Sequence, residues 1–188
     1  GSTGTPKGVG VQHAGAVNMA IASINTLKIT NQSCALQFAS CAFDASVWEI
    51  YPALASGAKL VLPKVKLHAV NDITEIINSN NITHANLPPA LLPHFQEGDL
   101  ATLKTLAVGG EACPPYIVAQ LAGRVRMINA YGPTENTVCA TMSPPLDPVL
   151  DGHDNAASVQ IGKAVNNVQT YVLDAALEPV PDGVVGEL

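Results

Sequence analysis

The first eight residues combine glycines, hydroxyls and one lysine, which are groups that proteins use to bind phosphate. Residues 1–8 read Gly-Ser-Thr-Gly-Thr-Pro-Lys-Gly. Because glycine has no Cβ, its backbone N–H can approach an anion closely, and the hydroxyls and the ammonium add donors and positive charge. The alternatives are a flexible linker or a cloning remnant, and Pro6 and Lys7 argue against a linker. The stretch therefore predicts a phosphate-binding loop.

This loop departs from the P-loop of nucleoside triphosphatases, whose pattern is G-x-x-x-x-G-K-[ST]. Pro6 stands where that pattern requires its second glycine. Gly8 stands where a Ser or Thr would bind magnesium. The sequence therefore disfavours a P-loop enzyme.

A second candidate site lies at residues 129–135, which read Asn-Ala-Tyr-Gly-Pro-Thr-Glu. The ring of Tyr131 can stack on a nucleobase, the Thr134 hydroxyl can bind phosphate, and the Glu135 carboxylate can bind Mg²⁺. The alternative is a turn that caps a helix. The residue types alone leave both interpretations open.

An acidic side chain among aromatic ones marks residues 43–49, which read Phe-Asp-Ala-Ser-Val-Trp-Glu. A carboxylate such as that of Asp44 is costly in apolar surroundings unless it meets a cation. The alternative is that Asp44 caps a helix predicted to begin at Ala45, since Asp is a common N-cap.

Short apolar runs alternate with helical segments along residues 1–149, and this predicts an α/β fold with a parallel sheet and helices on both faces. From about residue 150 turn residues and an alternating segment predict the beginning of a separate β subdomain over residues 150–188. Asn71 or Asp72 is the predicted cap of the third helix. Strands are predicted at 33–39, 59–62, 83–87, 104–108, 125–130 and 168–173, and helices at 9–29, 45–57, 73–80, 90–95 and 114–123.

Three unusual stretches each follow a predicted strand. These are residues 43–49, the turn at 109–111 and residues 129–135. In an open parallel sheet, ligands bind outside the carboxyl ends of the strands. We therefore expect the three stretches at one edge of the sheet, within reach of the loop at 1–8.

The composition excludes several classes of protein. Hydrophobic residues make up 47% of the 188 residues and charged residues 13%, which excludes a disordered chain. The net charge of −6 and the lack of a basic patch make nucleic acid an unexpected partner. No apolar run reaches membrane-spanning length, and the histidines lack metal-ligand spacing. Without a secretory signal, the four cysteines are predicted to be reduced thiols packed as small apolar side chains in a cytoplasmic protein.

The motifs together resemble those of the adenylate-forming, AMP-binding enzymes. Residues 2–8 resemble the S-T-G-x-P-K-G signature of that superfamily. Residues 129–135 match the N-A-Y-G-P-T-E signature, and residues 43–49 the F-D-x-S-V-W-E segment, of amino-acid adenylation domains in nonribosomal peptide synthetases. The resemblance spans the whole chain, since residues 106–111, 161–163 and 184–188 also match family blocks. It implies the central α/β subdomain of the adenylate-forming fold, followed by the start of a β-barrel-like subdomain.

The resemblance implies ATP and Mg²⁺ as cofactors. Asn129 would bind the adenine amine, Tyr131 would stack on the adenine, Gly110 would flank it, Thr134 would bind the α-phosphate, and Glu135 would bind Mg²⁺. The loop that would grip the β- and γ-phosphates consists of Ser2, Thr3, Gly4, Thr5, Lys7 and Gly8.

The resemblance also implies an α-amino acid substrate. Asp44 would pair with its ammonium group, and Phe43 would act as an aromatic gate. None of the implied side-chain pocket positions carries a formal charge, so we expect a medium or large apolar or aromatic amino acid. Asn86 would bind a polar atom of the substrate or bond only to backbone. The pocket positions are Ala45, Trp48, Asn86, Ala107, Gly109, Ala130, Val138 and Cys139.

The expected reaction joins an amino acid to AMP for transfer to a phosphopantetheine thiol on a carrier domain, beside condensation domains of the same assembly line. The catalytic lysine and the ribose-binding aspartate would lie beyond Leu188, so we expect a fragment that is inactive alone. His13 and Asn18 are expected to be structural, and Glu111 to belong to a turn or to an outer layer of the site. The alternatives are an acyl- or aryl-CoA ligase of the same superfamily and a non-catalytic nucleotide-binding module.

Overall fold

The computed structural model describes residues 8–64, 67, 69–96, 98–150 and 159–188. Most of the predicted phosphate loop, namely Ser2, Thr3, Gly4, Thr5 and Lys7, lies outside the described residues. Gly8, its last member, is exposed. Within the described ranges, no helix combines the length and apolar character needed to span a bilayer.

One sheet organises the described part of the chain. Its strands follow the order β2-β1-β3-β4-β5-β6-β7. Strands β1 to β5 are parallel, whereas β6 and β7 are antiparallel to their neighbours. The parallel part confirms the predicted α/β fold. The strands are β1 (Cys34–Leu36), β2 (Lys59–Val61), β3 (His84–Asn86), β4 (Thr105–Gly109), β5 (Arg126–Tyr131), β6 (Thr141–Met142) and β7 (Lys163–Ala164).

Helices connect the parallel strands. The α-helices are α1 (His13–Leu27), α2 (Ala45–Ala55), α3 (Val70–Ser79) and α4 (Pro115–Leu121), and 3₁₀ helices occupy Pro89–His94 and Thr134–Asn136. In α3, Ile73 and Ile77 are buried because residues four apart lie on the same face of a helix. Helix α4 begins with Pro115, because the first position of a helix needs no backbone N–H and proline costs no hydrogen bond there.

Both faces of the sheet are covered, as β4 shows. Leu106 and Val108 belong to a hydrophobic cluster that includes residues of α3 and α4. Ala107, between them, belongs to a second cluster that includes Met19 of α1 and Trp48 of α2. Successive side chains of a strand point to opposite faces, so the two clusters lie on opposite sides of the sheet.

Side chains from three neighbouring strands bind the end of α1. The carbonyl oxygen of Leu27 lies 3.1 Å from His84 Nε2 in β3 and accepts a 3.1 Å hydrogen bond from the Thr105 hydroxyl in β4. Arg126 of β5 donates to the carbonyl of Thr26 at 2.9 Å. The last carbonyls of a helix lack partners within it, so these side chains satisfy the end of α1 and bind it to the sheet.

Some predicted boundaries are wrong. The first strand covers Cys34–Leu36 rather than 33–39, and α4 ends at Leu121 rather than near residue 123. Ala69, not Asn71 or Asp72, is the N-cap of α3. The Asp72 carboxylate, two residues into the helix, accepts a 3.2 Å hydrogen bond from the Ala69 N–H instead.

The strand predicted at 168–173 is absent. Of that segment only Leu173 forms β-bridges, to Pro179 and Glu187. Alternation alone cannot form a strand where no neighbouring strand pairs along its length. A turn precedes residue 184, with the Val184 N–H bonded to the Pro181 carbonyl at 3.1 Å. The proposed division at residue 150 stays a prediction, and β7 beyond it pairs with β6.

All four cysteines are free thiols. Cys34, Cys113 and Cys139 are buried, as predicted. Cys41 is exposed, so the prediction that it packs as a small apolar side chain is wrong.

Candidate functional site

The candidate site lies at the carboxyl edge of the parallel strands, where the loops after β1 and β5 meet. The Thr134 hydroxyl donates a 2.6 Å hydrogen bond to Oδ2 of Asp44, although 90 residues separate them in sequence. A bond of this length to a carboxylate is typical of charge-assisted pairs. The predicted convergence of residues 43–49 and 129–135 is therefore present in the structure.

Asp44 stands at the N-cap position of α2 but does not cap it. Its backbone is helical, and its carboxylate makes no capping bond. The helix-cap interpretation of this side chain is therefore wrong. Burial, and secondarily the negative charge of the half-buried Asp44 carboxylate, raise the pKa of the buried Cys139 thiol.

Glu49 fixes the loop that leads to Asp44. Its carboxylate accepts hydrogen bonds from the backbone N–H groups of Phe38 and Ala39, at 3.0 Å each, and from the Gln37 side chain at 3.2 Å. Burial raises the pKa of Glu49 to about 7, although these donors oppose the shift. No role for Glu49 was predicted from the sequence. The available signal was an acid in an otherwise apolar helical run.

Trp48 is held in one orientation by a partner on α1. Its indole N–H donates a 2.7 Å hydrogen bond to Oγ of Ser23, which in turn donates to the Met19 carbonyl at 2.7 Å. Both Trp48 and Ser23 are buried. Because a buried indole N–H requires an acceptor, Ser23 is a positioning residue that the sequence pattern did not indicate.

A small cavity of about 30 Å³ lies beside Trp48, between the sheet and α2. The titratable side chains that line this cavity are hydrogen-bonded to the protein. Glu49 bonds the loop at 37–39, and His84 bonds Leu27 and Thr83. Burial, the largest cause, lowers the pKa of His84. Three predicted pocket residues, Trp48, Asn86 and Ala107, line the cavity, together with Leu27, Ile29, Ala35, Leu36, Glu49, His84, Ala85 and Thr105.

Asn86 is the polar side chain of this cavity without an assigned partner. It is half-buried at the end of β3, and no described residue hydrogen-bonds its side-chain amide. The backbone-bonded alternative for Asn86 is therefore not observed within the described ranges.

The other predicted pocket residues lie on neighbouring elements. Ala45 begins α2, and Gly109 pairs with Ala130 across β4 and β5. A Cβ at position 109 would lie 2.7 Å from the Ala130 carbonyl oxygen, so this position requires glycine. Val138 and Cys139 follow the 3₁₀ helix after β5, and both belong to the cluster that contains Trp48. Phe43, the predicted gate, is 64% exposed.

The loop from β5 to β6 has a strained backbone. Thr137 and Val138 both have positive φ angles, 56° and 69°, which β-branched residues rarely adopt. Gly132 permits the tight return of this loop, because a Cβ there would lie 2.5 Å from the Val138 carbonyl oxygen. The surrounding packing therefore holds the loop in one conformation.

The predicted adenine-binding residues lie beside this loop. Asn129 is buried, and its side-chain N–H donates to the Gln160 carbonyl at 3.0 Å. Tyr131 ends β5 with 44% of its side chain exposed, so its ring is available for stacking. Gly110 has a φ of +84° in the turn after β4, a conformation that favours glycine.

A family model described as AMP-binding enzyme matches residues 1–188. The chain belongs to the AMP-binding enzyme family. It is 47% identical over its full length to the probable non-canonical nonribosomal peptide synthetase CymA of Salinispora arenicola (strain CNS-205), of which it spans 2%.

Solved structures of AMP-binding proteins superpose well on the chain. The N-terminal subdomain of Klebsiella oxytoca NpsA in complex with 3-hydroxybenzoyl-AMSN matches all of it with a TM-score of 0.85 at 26% identity, and the chain covers 48% of that structure. The nonribosomal peptide synthetase FmoA3 in its AMPPNP-bound form matches 94% of it with a TM-score of 0.82 at 26% identity, and the matched region is 20% of that chain. This AMP-binding chain therefore corresponds to part of an adenylation domain.

Glu135 is the predicted metal ligand of the AMP-binding chain. It is exposed within the 3₁₀ helix Thr134–Asn136. The described ranges contain no group of three or more His, Cys, Asp or Glu side chains placed to bind a metal ion. A single exposed carboxylate fits Mg²⁺ that is bound mainly by nucleotide phosphates and water.

Glu111 and Asn18 have structural contacts. Glu111 accepts a 2.7 Å hydrogen bond from the Ala90 N–H, so it fastens the turn after β4 to a 3₁₀ helix. Asn18 donates to the Asn166 carbonyl at 2.7 Å and accepts from Asn167 at 2.8 Å. His13 is exposed at the start of α1.

Proposed function

We propose that this chain provides the nucleotide- and amino-acid-binding part of a domain that activates an α-amino acid as its aminoacyl adenylate. The observation that carries the proposal is the contact between Asp44 and Thr134 at 2.6 Å. It brings the group proposed for the substrate ammonium next to the group proposed for the α-phosphate. A reaction between a carboxylate and the α-phosphorus needs this proximity.

In the proposed reaction, a carboxylate oxygen of the amino acid attacks the α-phosphorus of ATP. The bond from that phosphorus to the oxygen bridging to the β-phosphate breaks, and pyrophosphate leaves. Asp44 holds the ammonium group, and Thr134 donates to the α-phosphate. Tyr131 stacks on the adenine, Gly110 flanks it, and Asn129 accepts from its amine through the side-chain oxygen, since its N–H is bonded to Gln160.

Mg²⁺ on Glu135 would offset the charge that develops on the phosphates. Ser2, Thr3, Gly4, Thr5, Lys7 and Gly8 would bind the β- and γ-phosphates. The acyl group would then pass to a phosphopantetheine thiol on a carrier domain, next to condensation domains. These partners, like the activity of the longer protein, follow from the resemblance to nonribosomal peptide synthetases.

The pocket favours an apolar or aromatic amino acid. The indole of Trp48 forms a fixed wall, and the small residues Ala107, Gly109 and Ala130 lie on the neighbouring strands β4 and β5. Glu49 and His84 border the cavity, but both are hydrogen-bonded to the protein. A charged substrate side chain would therefore be desolvated without a partner, at a cost of several kcal/mol. Asn86 remains free to bond a polar atom of the substrate.

The test is ATP–pyrophosphate exchange by the complete domain with the standard amino acids, fatty acids and aryl acids. We expect exchange with apolar or aromatic amino acids. Exchange with fatty or aryl acids alone would establish a CoA-ligase-like acid preference and overturn the proposal. ATP binding without exchange for any acid would indicate a non-catalytic nucleotide-binding module. Strong exchange with a charged amino acid alone would show that the pocket assignment is wrong.

A further inference from the structure

We propose that Thr134 couples the amino-acid and nucleotide sites through its hydroxyl, which donates either to Asp44 or to the α-phosphate. The inference rests on the proposed function and adds a regulatory link to it. Each substrate would strengthen the binding of the other, because phosphate takes the hydroxyl hydrogen away from Asp44 and an ammonium group on Asp44 releases it.

The contact links two separate elements of the fold. Asp44 immediately precedes α2, and Thr134 begins the 3₁₀ helix that follows β5. Their 2.6 Å hydrogen bond is therefore a tertiary contact between the loop proposed for the amino acid and the loop proposed for ATP. Among the described residues, Thr134 is the side chain that donates to the Asp44 carboxylate.

The Asp44 carboxylate and the α-phosphate compete for the single hydrogen of the Thr134 hydroxyl. A threonine hydroxyl carries one hydrogen, so it cannot donate to a carboxylate and to a phosphate at the same time. When a phosphate takes this hydrogen, the half-buried Asp44 carboxylate loses a donor and attracts an ammonium group more strongly. When an ammonium binds first, the neutralised carboxylate releases the hydroxyl for phosphate.

The backbone around Thr134 favours rotation of the side chain over movement of the loop. The Thr137 N–H donates to the Thr134 carbonyl at 3.0 Å. Gly132 packs so tightly that a Cβ there would lie 2.5 Å from the Val138 carbonyl oxygen. Because the loop is fixed on both sides of Thr134, the exchange of partners falls to its χ1 torsion.

The sign of the coupling follows from this exchange. Both ligands weaken the contact between Thr134 and Asp44, so each should raise the affinity for the other by the same factor. A hydrogen bond to a charged group corresponds to a factor of about ten. Independent sites would give a factor of one.

The experiment measures binding to the complete domain by calorimetry. The first probe is the amino alcohol of the amino acid most active in exchange, for example phenylalaninol for phenylalanine, because it keeps the ammonium group but lacks the reactive carboxylate. The second probe is Mg·ATP. The corresponding carboxylic acid without its α-amino group serves as a ligand control, for which we expect no favourable coupling.

Variants separate coupling from folding. Thr134→Val removes the hydroxyl at nearly constant volume and should reduce the coupling factor from about ten to about one. Thr134→Ser keeps a hydroxyl and should restore it. Thr74→Val is the matched control, since the Thr74 hydroxyl, on α3, is buried without a hydrogen-bond partner among the described residues. This control should retain the wild-type factor.

The outcomes distinguish this inference from the proposed function. Full coupling in Thr134→Val, or two independent affinities in the wild-type domain, would overturn the coupling and leave the proposed function intact. If the wild-type domain neither bound the amino alcohol nor exchanged pyrophosphate with any amino acid, the proposed function would fail and the coupling with it.

Discussion

At the scale of single residues, the site depends on two carboxylates with different surroundings. Asp44 is half-buried and bonded to one hydroxyl, whereas Glu49 is buried and bonded to backbone N–H groups of the preceding loop. The first faces the proposed substrate, and the second shapes the loop that carries the first. Substitutions at the two positions should therefore affect different properties of the domain.

Asp44→Ala should impair the proposed activation of amino acids by removing the proposed partner of the ammonium group. We expect kcat/KM for the preferred amino acid to fall about thirtyfold, which corresponds to roughly 2 kcal/mol. Asp44→Asn should shift the preference toward acids that lack the amine. Pyrophosphate exchange measures both, with Asp99→Asn as the control, since the Asp99 carboxylate binds only the nearby Gln96 N–H among described residues. Wild-type kinetics in both Asp44 variants would contradict the role of Asp44.

Glu49 should make stability depend on pH. Its pKa is raised to about 7 in the folded protein from an ordinary value of 4.5, so the folded state binds more protons than the unfolded state between these values. The contribution of Glu49 is therefore fully present below pH 4.5 and is lost as pH rises through 7, by roughly 3 kcal/mol.

Urea unfolding of the wild-type domain and of Glu49→Gln at pH 5 and pH 8 measures this contribution. Relative to Glu49→Gln, the wild type should have a lower free energy of unfolding at pH 8 than at pH 5. Glu75→Gln, on the exposed face of α3, should show no such shift. Equal differences at both pH values would refute the raised pKa.

At the scale of elements, the loop from β5 to β6 holds several residues that are proposed to bind the substrates in one backbone conformation. Gly132→Ala would place a Cβ 2.5 Å from both the Ala140 nitrogen and the Val138 carbonyl oxygen. The loop must then move, so we expect a tenfold or greater loss of ATP affinity, measured by calorimetry. Gly10→Ala, where a Cβ meets nothing within 4 Å, should leave ATP affinity unchanged. Similar affinities in both variants would show that the loop tolerates the shift.

Sequence patterns predicted the parallel strands because short segments rich in apolar residues alternate with helical ones. They missed β6 and β7, since strands of two residues are too short to show a period. The predicted meeting of residues 43–49 and 129–135 followed from topology alone. Ser23 and Glu49 were not predicted, because their roles depend on contacts with Trp48 and with the loop at 37–39 that no spacing encodes.

At the scale of the whole molecule, the end of α1 is tied to three strands of the sheet. His84 makes one of these contacts, and burial lowers its pKa from the ordinary 6.5. The folded state therefore binds fewer protons than the unfolded state at acidic pH. Its contribution to stability should be present above pH 6.5 and decline as pH falls below that value.

The difference in unfolding free energy between the wild-type domain and His84→Gln, measured at pH 7.5 and pH 5.5, tests this dependence. We expect the wild type to lose stability relative to the variant at pH 5.5. This trend is opposite in sign to that of Glu49, so the paired variants are needed to separate the two groups. A difference that stays constant with pH would contradict the assignment.

The anchoring of α1 also limits how this domain can acquire a new substrate. His84 and Thr105, which satisfy the helix end, form one end of the cavity, whereas Ala107 and Asn86 form another part of its lining. In a library randomised at His84 and Thr105, most members should fail to express as folded protein. A library at Ala107 and Asn86 should yield folded members with altered selectivity. We therefore expect selectivity for the proposed amino-acid substrate to change through positions 86 and 107 rather than through positions 84 and 105.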